Sequence, residues 1–180
     1  MSVILVDLDG VVVDWSAQFS HDLEFYYPDL EFEEMREFVT PTHLPQAHQD
    51  AINTVKNRSG FYAEMEPIPY AIDALDDMAE EHTVFLCSAP EIFNATCESD
   101  KKTWVRDWLG VEWAKRLILT KDKTMVRGDI LIDDRPDVTG VMEPLWRHVI
   151  FSAPYNDDVF DKPRLDSWDD WRDVLGKVLV

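Results

Sequence analysis

Val3-Ile4-Leu5-Val6-Asp7-Leu8-Asp9-Gly10-Val11-Val12-Val13-Asp14 is the stretch that decides the fold. Four apolar residues, two of them valines and one an isoleucine, run into acids and a glycine. Such a run reads as a strand buried on both faces of a parallel sheet. Ligand sites in these sheets lie beyond the carboxyl ends of the strands, where Asp7 and Asp9 stand. Packing does not explain two acids at the end of a buried strand, because unpaired charge there is costly.

The rest of the chain repeats the pattern. Thr83 to Cys87, Leu117 to Leu119, Ile130 to Ile132 and His148 to Phe151 read as four more strands. Helical spacing separates them. Tyr70 to Glu81 carries Ile72, Leu75, Met78 and Ala79 on one face, and Thr103 to Leu109 carries Trp104, Val105, Trp108 and Leu109. A terminal helix is expected from Ser167, an N-cap with Asp170 three residues on and Trp171, Val174 and Leu175 behind it. Strands alternating with helices predict an α/β fold built on a Rossmann-like, mostly parallel sheet.

One region departs from the alternation. More than fifty residues separate the first strand from Tyr70, without a convincing strand among them. Trp15 to Tyr26, Phe32 to Val39 and Pro45 to Lys56 read as helices punctuated by Pro28, Pro41 and Pro45. A structureless loop of that length is improbable, so residues 15–69 are expected to form a helical cap and residues 1–14 and 70–180 the catalytic core. The insertion leaves the sheet beside the acids and would lie over them as a lid.

Composition narrows the function. The 180 residues suffice for one domain with a real core, and the formal net charge of −19 argues against a nucleic-acid polymer as partner. No stretch is long and apolar enough to span a membrane. A strand beginning at Val3 leaves no room for a leader, and two cysteines, Cys87 and Cys97, suit a reducing compartment. A cytoplasmic location is the expectation.

Three further polar sites follow strands: Ser88, Lys123, and the pair Asp133-Asp134. Singly, each is ordinary: a turn, a helix cap, a solvated lysine, a capping pair. Together they form a set for phosphoryl transfer. Asp7 can attack phosphorus as a nucleophile. Asp9 can protonate the leaving oxygen and then deprotonate a water. Ser88 and Lys123 can donate to the phosphoryl oxygens. Several acids beside a phosphate dianion call for a hard divalent cation, and Mg²⁺ with oxygen ligands suits them.

Asp7-Leu-Asp-Gly-Val, Ser88, Lys123 and Asp133-Asp134 resemble, in order, the four motifs of the haloacid-dehalogenase superfamily of phosphohydrolases. Within it the chain resembles the 5'(3')-deoxyribonucleotidases. The matching segments are Gly60-Phe61-Tyr62, Glu66-Pro67-Ile68-Pro69, Leu119-Thr120-Lys121-Asp122-Lys123-Thr124, Leu131 through Asp137, and Ser167-Trp168-Asp169-Asp170-Trp171. The resemblance implies Mg²⁺ held by Asp7, the backbone carbonyl of Asp9, and Asp134, with Asp133 supporting from behind. It implies a nucleobase set against Trp15, Phe61 and Tyr62, whose stacking tolerates either pyrimidine. It also implies that Lys101 reaches the phosphate. Ser88-Ala89-Pro90 departs from the family's Thr-Ser-Pro, so Ala89 takes a phosphate-side position without the second hydroxyl. Tyr70 stands where the family has a glycine, and Trp15 where a smaller aromatic is usual.

The reaction so implied is Mg²⁺-dependent hydrolysis of a nucleoside monophosphate, with a sugar phosphate or another small phosphometabolite as the alternative substrate. A cysteine phosphatase would need an arginine six residues after Cys87, where Phe93 stands. A dehalogenase would not need Asp9. An inactive scaffold would have lost a motif residue, and none is lost. The partners expected are a small-molecule nucleotide and, as an option, a second copy of the chain.

Overall fold

A computed structural model describes residues 1–32 and 43–179. Six strands form one sheet: β1 (Val3–Val6), β2 (Thr83–Ser88), β3 (Leu117–Leu119), β4 (Ile130–Asp133), β5 (Arg147–Phe151) and β6 (Arg164–Leu165). They lie in the order β3-β2-β1-β4-β5-β6, and every neighbouring pair is parallel. The chain leaves β1 toward β2 on one side and places β4 on the other, so the crevice of this α/β sheet opens at the end of β1.

Alternation along the strands sorts two cores. Ile4, Val6, Val84, Leu86, Ile130 and Ile132 face one side, where they pack with residues of α3 (Ala71–Glu81), α4 (Cys97–Trp108) and α6 (Trp171–Val178). Leu5, Cys87 and Leu131 face the other and pack with Trp146, Val126 and Val138. Those covering residues come from the segments after β3 and after β4 rather than from an α-helix.

The expected strands are all present, with small changes of boundary. β2 extends through Ser88, β4 takes in Asp133 and β5 begins at Arg147. Strand β6 was not expected; its two residues, Arg164 and Leu165, have no alternation to read. Helix α4 starts at Cys97, six residues before the expected start at Thr103. Ser167 caps a short 3₁₀ turn, Trp168–Asp170, and the terminal helix proper begins at Trp171.

Between β1 and β2 lie α1 (Trp15–Tyr26) and α2 (Gln46–Lys56), followed by a 3₁₀ turn at Phe61–Ala63. Of the helix expected over Phe32 to Val39, all but Phe32 lies outside the described residues. The outgoing and returning legs are pinned side by side: the Asp14 amide donates to Glu66 O at 2.8 Å and the Ile68 amide to Val12 O at 2.8 Å. Asp14 Oδ1 accepts from the Ala17 amide at 2.9 Å and so starts α1 at once. The return is tied to α4, whose Asp100 accepts from the Gly60 amide at 3.0 Å. Asn94 Nδ2 donates to the carbonyls of Lys56 and Arg58 at 3.0 and 2.9 Å. Two indoles fasten the same region, Trp104 Nε1 donating to Met65 O and Trp168 Nε1 to Val11 O.

Candidate active site

The chain leaves β1 through a turn that only glycine fits. Gly10 has φ +73°, and a Cβ there would lie 2.2 Å from Asp134 Oδ2. The amides of Val11, Val12 and Val13 all turn back to Leu8 O, which holds Asp7 and Asp9 at the mouth of the crevice.

Under these acids lie two buried lysines. Lys123 Nζ stands 2.8 Å from Asp7 Oδ1 and 2.5 Å from Asp133 Oδ2. Lys101 Nζ donates to Asp9 Oδ2 at 2.6 Å, to Ser88 Oγ at 2.8 Å and to Ala89 O at 3.1 Å. Burying ammonium groups is costly unless carboxylates and further acceptors meet them, as they do here. The loop carrying Lys123 is braced by Asp122, which accepts from the amides of Thr124 and Val141 at 2.9 and 2.8 Å.

The environments of the two leading acids push them apart. Burial opposes ionisation of Asp7, but Lys123 and Lys101 outweigh it and hold the carboxyl below its ordinary range. Burial lifts Asp9 above that range; Lys101 pulls against it and repulsion from Asp7 adds to it. A carboxylate kept ionised beside one inclined to hold a proton is the pairing that a nucleophile and a general acid require.

Asp7, Asp133 and Asp134, all buried, each offer a carboxylate oxygen, and the three oxygens lie within 4.8 Å of one another. Burial, with repulsion from Asp133 and Asp7, drives Asp134 well above the ordinary carboxylate range. Asp7 Oδ1 is ion-paired to Lys123 at 2.8 Å, and Asp9 Oδ1 is a buried oxygen without a hydrogen-bond partner. Three buried acids whose hard oxygens cluster this closely fit a divalent cation. Both oxygens of Asp133 are engaged, Oδ2 by Lys123 and Oδ1 by the Arg135 amide at 3.0 Å. The hydrogen bond to the Asp134 side chain is made at Oδ2, by the Tyr155 hydroxyl. This difference favours Asp134 as the ligand and Asp133 as its support.

A cavity of about 410 Å³ opens over the site. Asp7, Asp9, Gly10, Asp134 and Tyr155 line its floor, Trp15, Tyr62, Asn53 and Lys56 come from the inserted segment, and Ala89 and Lys121 come from loops beyond β2 and β3. The expected site residues are therefore brought together, but not all of them face the cavity. Phe61 is fully buried and does not line it. Its ring packs edge-on against Trp15 and Tyr62, with centroids 5.9 and 5.0 Å away, so it props the aromatic wall instead of forming it. Ser88, Lys101 and Lys123 lie just beneath the lining, held by one another and by the acids.

Several contributors were not anticipated. Tyr155 and Asn156 follow β5, and Asn156 Nδ2 donates to Asp134 O at 2.7 Å and to Phe151 O at 2.8 Å. The position of this pair just past a strand was the available signal. Lys56, Asn53 and Lys121 carry no such mark in the sequence.

The chain is similar to known proteins along nearly its whole length. The model of the family "5' nucleotidase, deoxy (Pyrimidine), cytosolic type C protein" matches residues 1–179. A Bordetella pertussis protein described as a 5'(3')-deoxyribonucleotidase is 41% identical over 178 residues, covering 96% of this chain and 95% of its own. The human cytosolic-type 5'(3')-deoxyribonucleotidase is 36% identical over 185 residues, covering 96% and 92%. Among solved structures, a haloacid dehalogenase-like hydrolase of Streptococcus pneumoniae superposes with a TM-score of 0.64 at 14% identity, covering 98% of each chain. The chain belongs to the family of deoxy (pyrimidine) 5'-nucleotidases of cytosolic type C, on the haloacid-dehalogenase fold, and is a phosphoric monoester hydrolase.

Proposed function

We propose that the chain is a Mg²⁺-dependent 5'-nucleotidase that hydrolyses nucleoside monophosphates, pyrimidine deoxyribonucleotides foremost, to nucleoside and phosphate. The observation that carries this reading is the cavity itself: Asp7, held below the ordinary carboxylate range, and Asp9, lifted above it, on its floor, and the aromatic rings of Trp15 and Tyr62 on its wall. A phosphate set on Asp7 leaves the base facing those rings, where stacking contributes about 1–3 kcal/mol.

An oxygen of Asp7 attacks phosphorus while the bond to the leaving oxygen breaks, and Asp9 passes its proton to that oxygen. The nucleoside departs and an aspartyl-phosphate remains on Asp7. Asp9, now a base, takes a proton from a water that attacks phosphorus and returns Asp7 with release of phosphate. Lys123 holds Asp7 in place through its ion pairs with Asp7 and Asp133. Lys101 holds Asp9, Ser88 and the Ala89 carbonyl in one cluster. Asp7, the Asp9 carbonyl and Asp134 would hold Mg²⁺, which would supply the positive charge that lets a phosphate dianion approach the acids.

The setting proposed is the cytoplasm, and the substrate a free nucleotide. Among the described residues no helix is long and apolar enough to cross a membrane. The test is phosphate release from a panel of nucleoside monophosphates and sugar phosphates, with Mg²⁺ and with EDTA. Preference for pyrimidine deoxyribonucleotides, lost on chelation and restored by Mg²⁺, is the expected outcome. Faster turnover of sugar phosphates, or a rate indifferent to EDTA, refutes it. Sedimentation of the purified protein tests for the homodimer.

A further inference from the structure

We propose that Tyr155 is a positioning residue for the metal site: its hydroxyl fixes one oxygen of Asp134 so that the other is presented to the cation. The inference rests on the metal reading above and goes beyond it to a residue outside the four motifs.

The geometry is that of a clamp around a single carboxylate. Asp134 is the first residue after β4, where the strand's ladder no longer restrains its backbone. Its carbonyl is held by Asn156 Nδ2 at 2.7 Å, and its Oδ2 by the Tyr155 hydroxyl. Both partners sit in the 3₁₀ turn Pro154–Asn156 that follows β5. Asn156 is itself fixed: Arg164 on β6 donates to its side-chain and backbone oxygens at 2.9 and 2.7 Å. Gly10 closes the other side, since a Cβ there would lie 2.2 Å from Asp134 Oδ2 and 3.1 Å from the Tyr155 hydroxyl. Oδ2 is thus enclosed between Gly10 and Tyr155, which on this proposal assigns the other oxygen to the cation.

The physical need for the clamp comes from the neighbours of Asp134. Asp7 and Asp133 crowd it within 4.8 Å, and repulsion turns a free carboxylate away from them. A hydroxyl donor on the far oxygen opposes that rotation without neutralising the ligand. Partners that orient a ligating carboxylate typically contribute 10- to 100-fold in metal affinity. The strand β6, two residues long and illegible in the sequence, gains a purpose on this account: it carries the arginine that anchors the clamp.

The test is Tyr155→Phe, which removes the hydroxyl and keeps the ring. Mg²⁺ is titrated into EDTA-treated, dialysed protein by calorimetry, and melting temperatures are recorded with and without saturating Mg²⁺. The expected result is a Kd for Mg²⁺ at least about tenfold weaker than wild type, together with a smaller Mg²⁺-induced rise in melting temperature at a fixed Mg²⁺ concentration. That rise is read relative to each protein's own metal-free baseline, so a loss of fold stability cannot imitate it. A Kd within twofold of wild type, or an equal rise, overturns the inference and leaves the metal reading standing. Failure of wild type to take up Mg²⁺ overturns both.

Discussion

Gly10→Ala, paired with Gly110→Ala, separates backbone strain from damage to the site. Both glycines have positive φ, +73° and +93°, so an alanine at either is strained, and more so at Gly110, whose ψ of 174° puts it in a region essentially reserved for glycine. They differ in what a new methyl meets. At Gly110 nothing lies within 4 Å, whereas at Gly10 the Cβ would stand 2.2 Å from Asp134 Oδ2. Asp134 would have to retreat by about an ångström to reach ordinary contact, and a displacement of that size in a reacting constellation costs on the order of 100-fold in rate. The Tyr155 hydroxyl, 3.1 Å from the same point, blocks the retreat on one side. Urea melts and phosphate release at saturating Mg²⁺ should therefore show both variants destabilised, Gly110→Ala by backbone strain alone, with kcat about 100-fold lower for Gly10→Ala only. A kcat for Gly10→Ala within tenfold of wild type would refute the claim that this glycine shapes the position of Asp134. A comparable rate loss in Gly110→Ala would show that strain alone is responsible.

Asp7→Asn should abolish turnover while leaving the urea midpoint close to wild type, and wild type should bind beryllofluoride beside Asp7; appreciable activity in the purified variant contradicts the nucleophile. Trp15→Ala should cost about 1–3 kcal/mol in kcat/KM for a nucleotide and little for p-nitrophenyl phosphate. Phe61→Ala, behind the wall, should instead lower stability by about 3–5 kcal/mol, and a selective nucleotide defect without that loss would place Phe61 in the cavity after all. Tyr70 is the one non-glycine with positive φ among the described residues, at 65°, and its side chain is largely exposed. Tyr70→Gly should leave stability unchanged or raise it by up to about 1 kcal/mol, with Tyr70→Val lowering it in the same melt; a clear loss in Tyr70→Gly would show that the ring contributes packing.

Residues whose meaning is local were legible in the sequence. The apolar runs of β1, β2 and β4 mark buried strands because a strand covered on both faces has no polar position to offer. The acids at their ends stood out because burial penalises charge, so Asp7, Asp9, Asp133 and Asp134 announced a site before any coordinate was known. Gly10 told where the strand stops. The positive φ at Tyr70 is a conformation that glycine adopts without strain.

Tertiary structure decided what depends on which groups meet. Phe61 and Tyr62 are adjacent aromatics that the sequence treats alike, yet one is a prop and the other a wall, because a 3₁₀ turn sends their rings in different directions. Lys101 gained a place under Asp9 and Ser88 from the docking of α4, ninety-two residues along the chain from Asp9. The choice between Asp133 and Asp134 turned on Lys123 and Tyr155, which approach from separate loops. Burial periodicity is written residue by residue and survives in one dimension. Pairings between distant side chains are fixed only when the sheet order brings their strand ends to a common edge, and no local pattern encodes that.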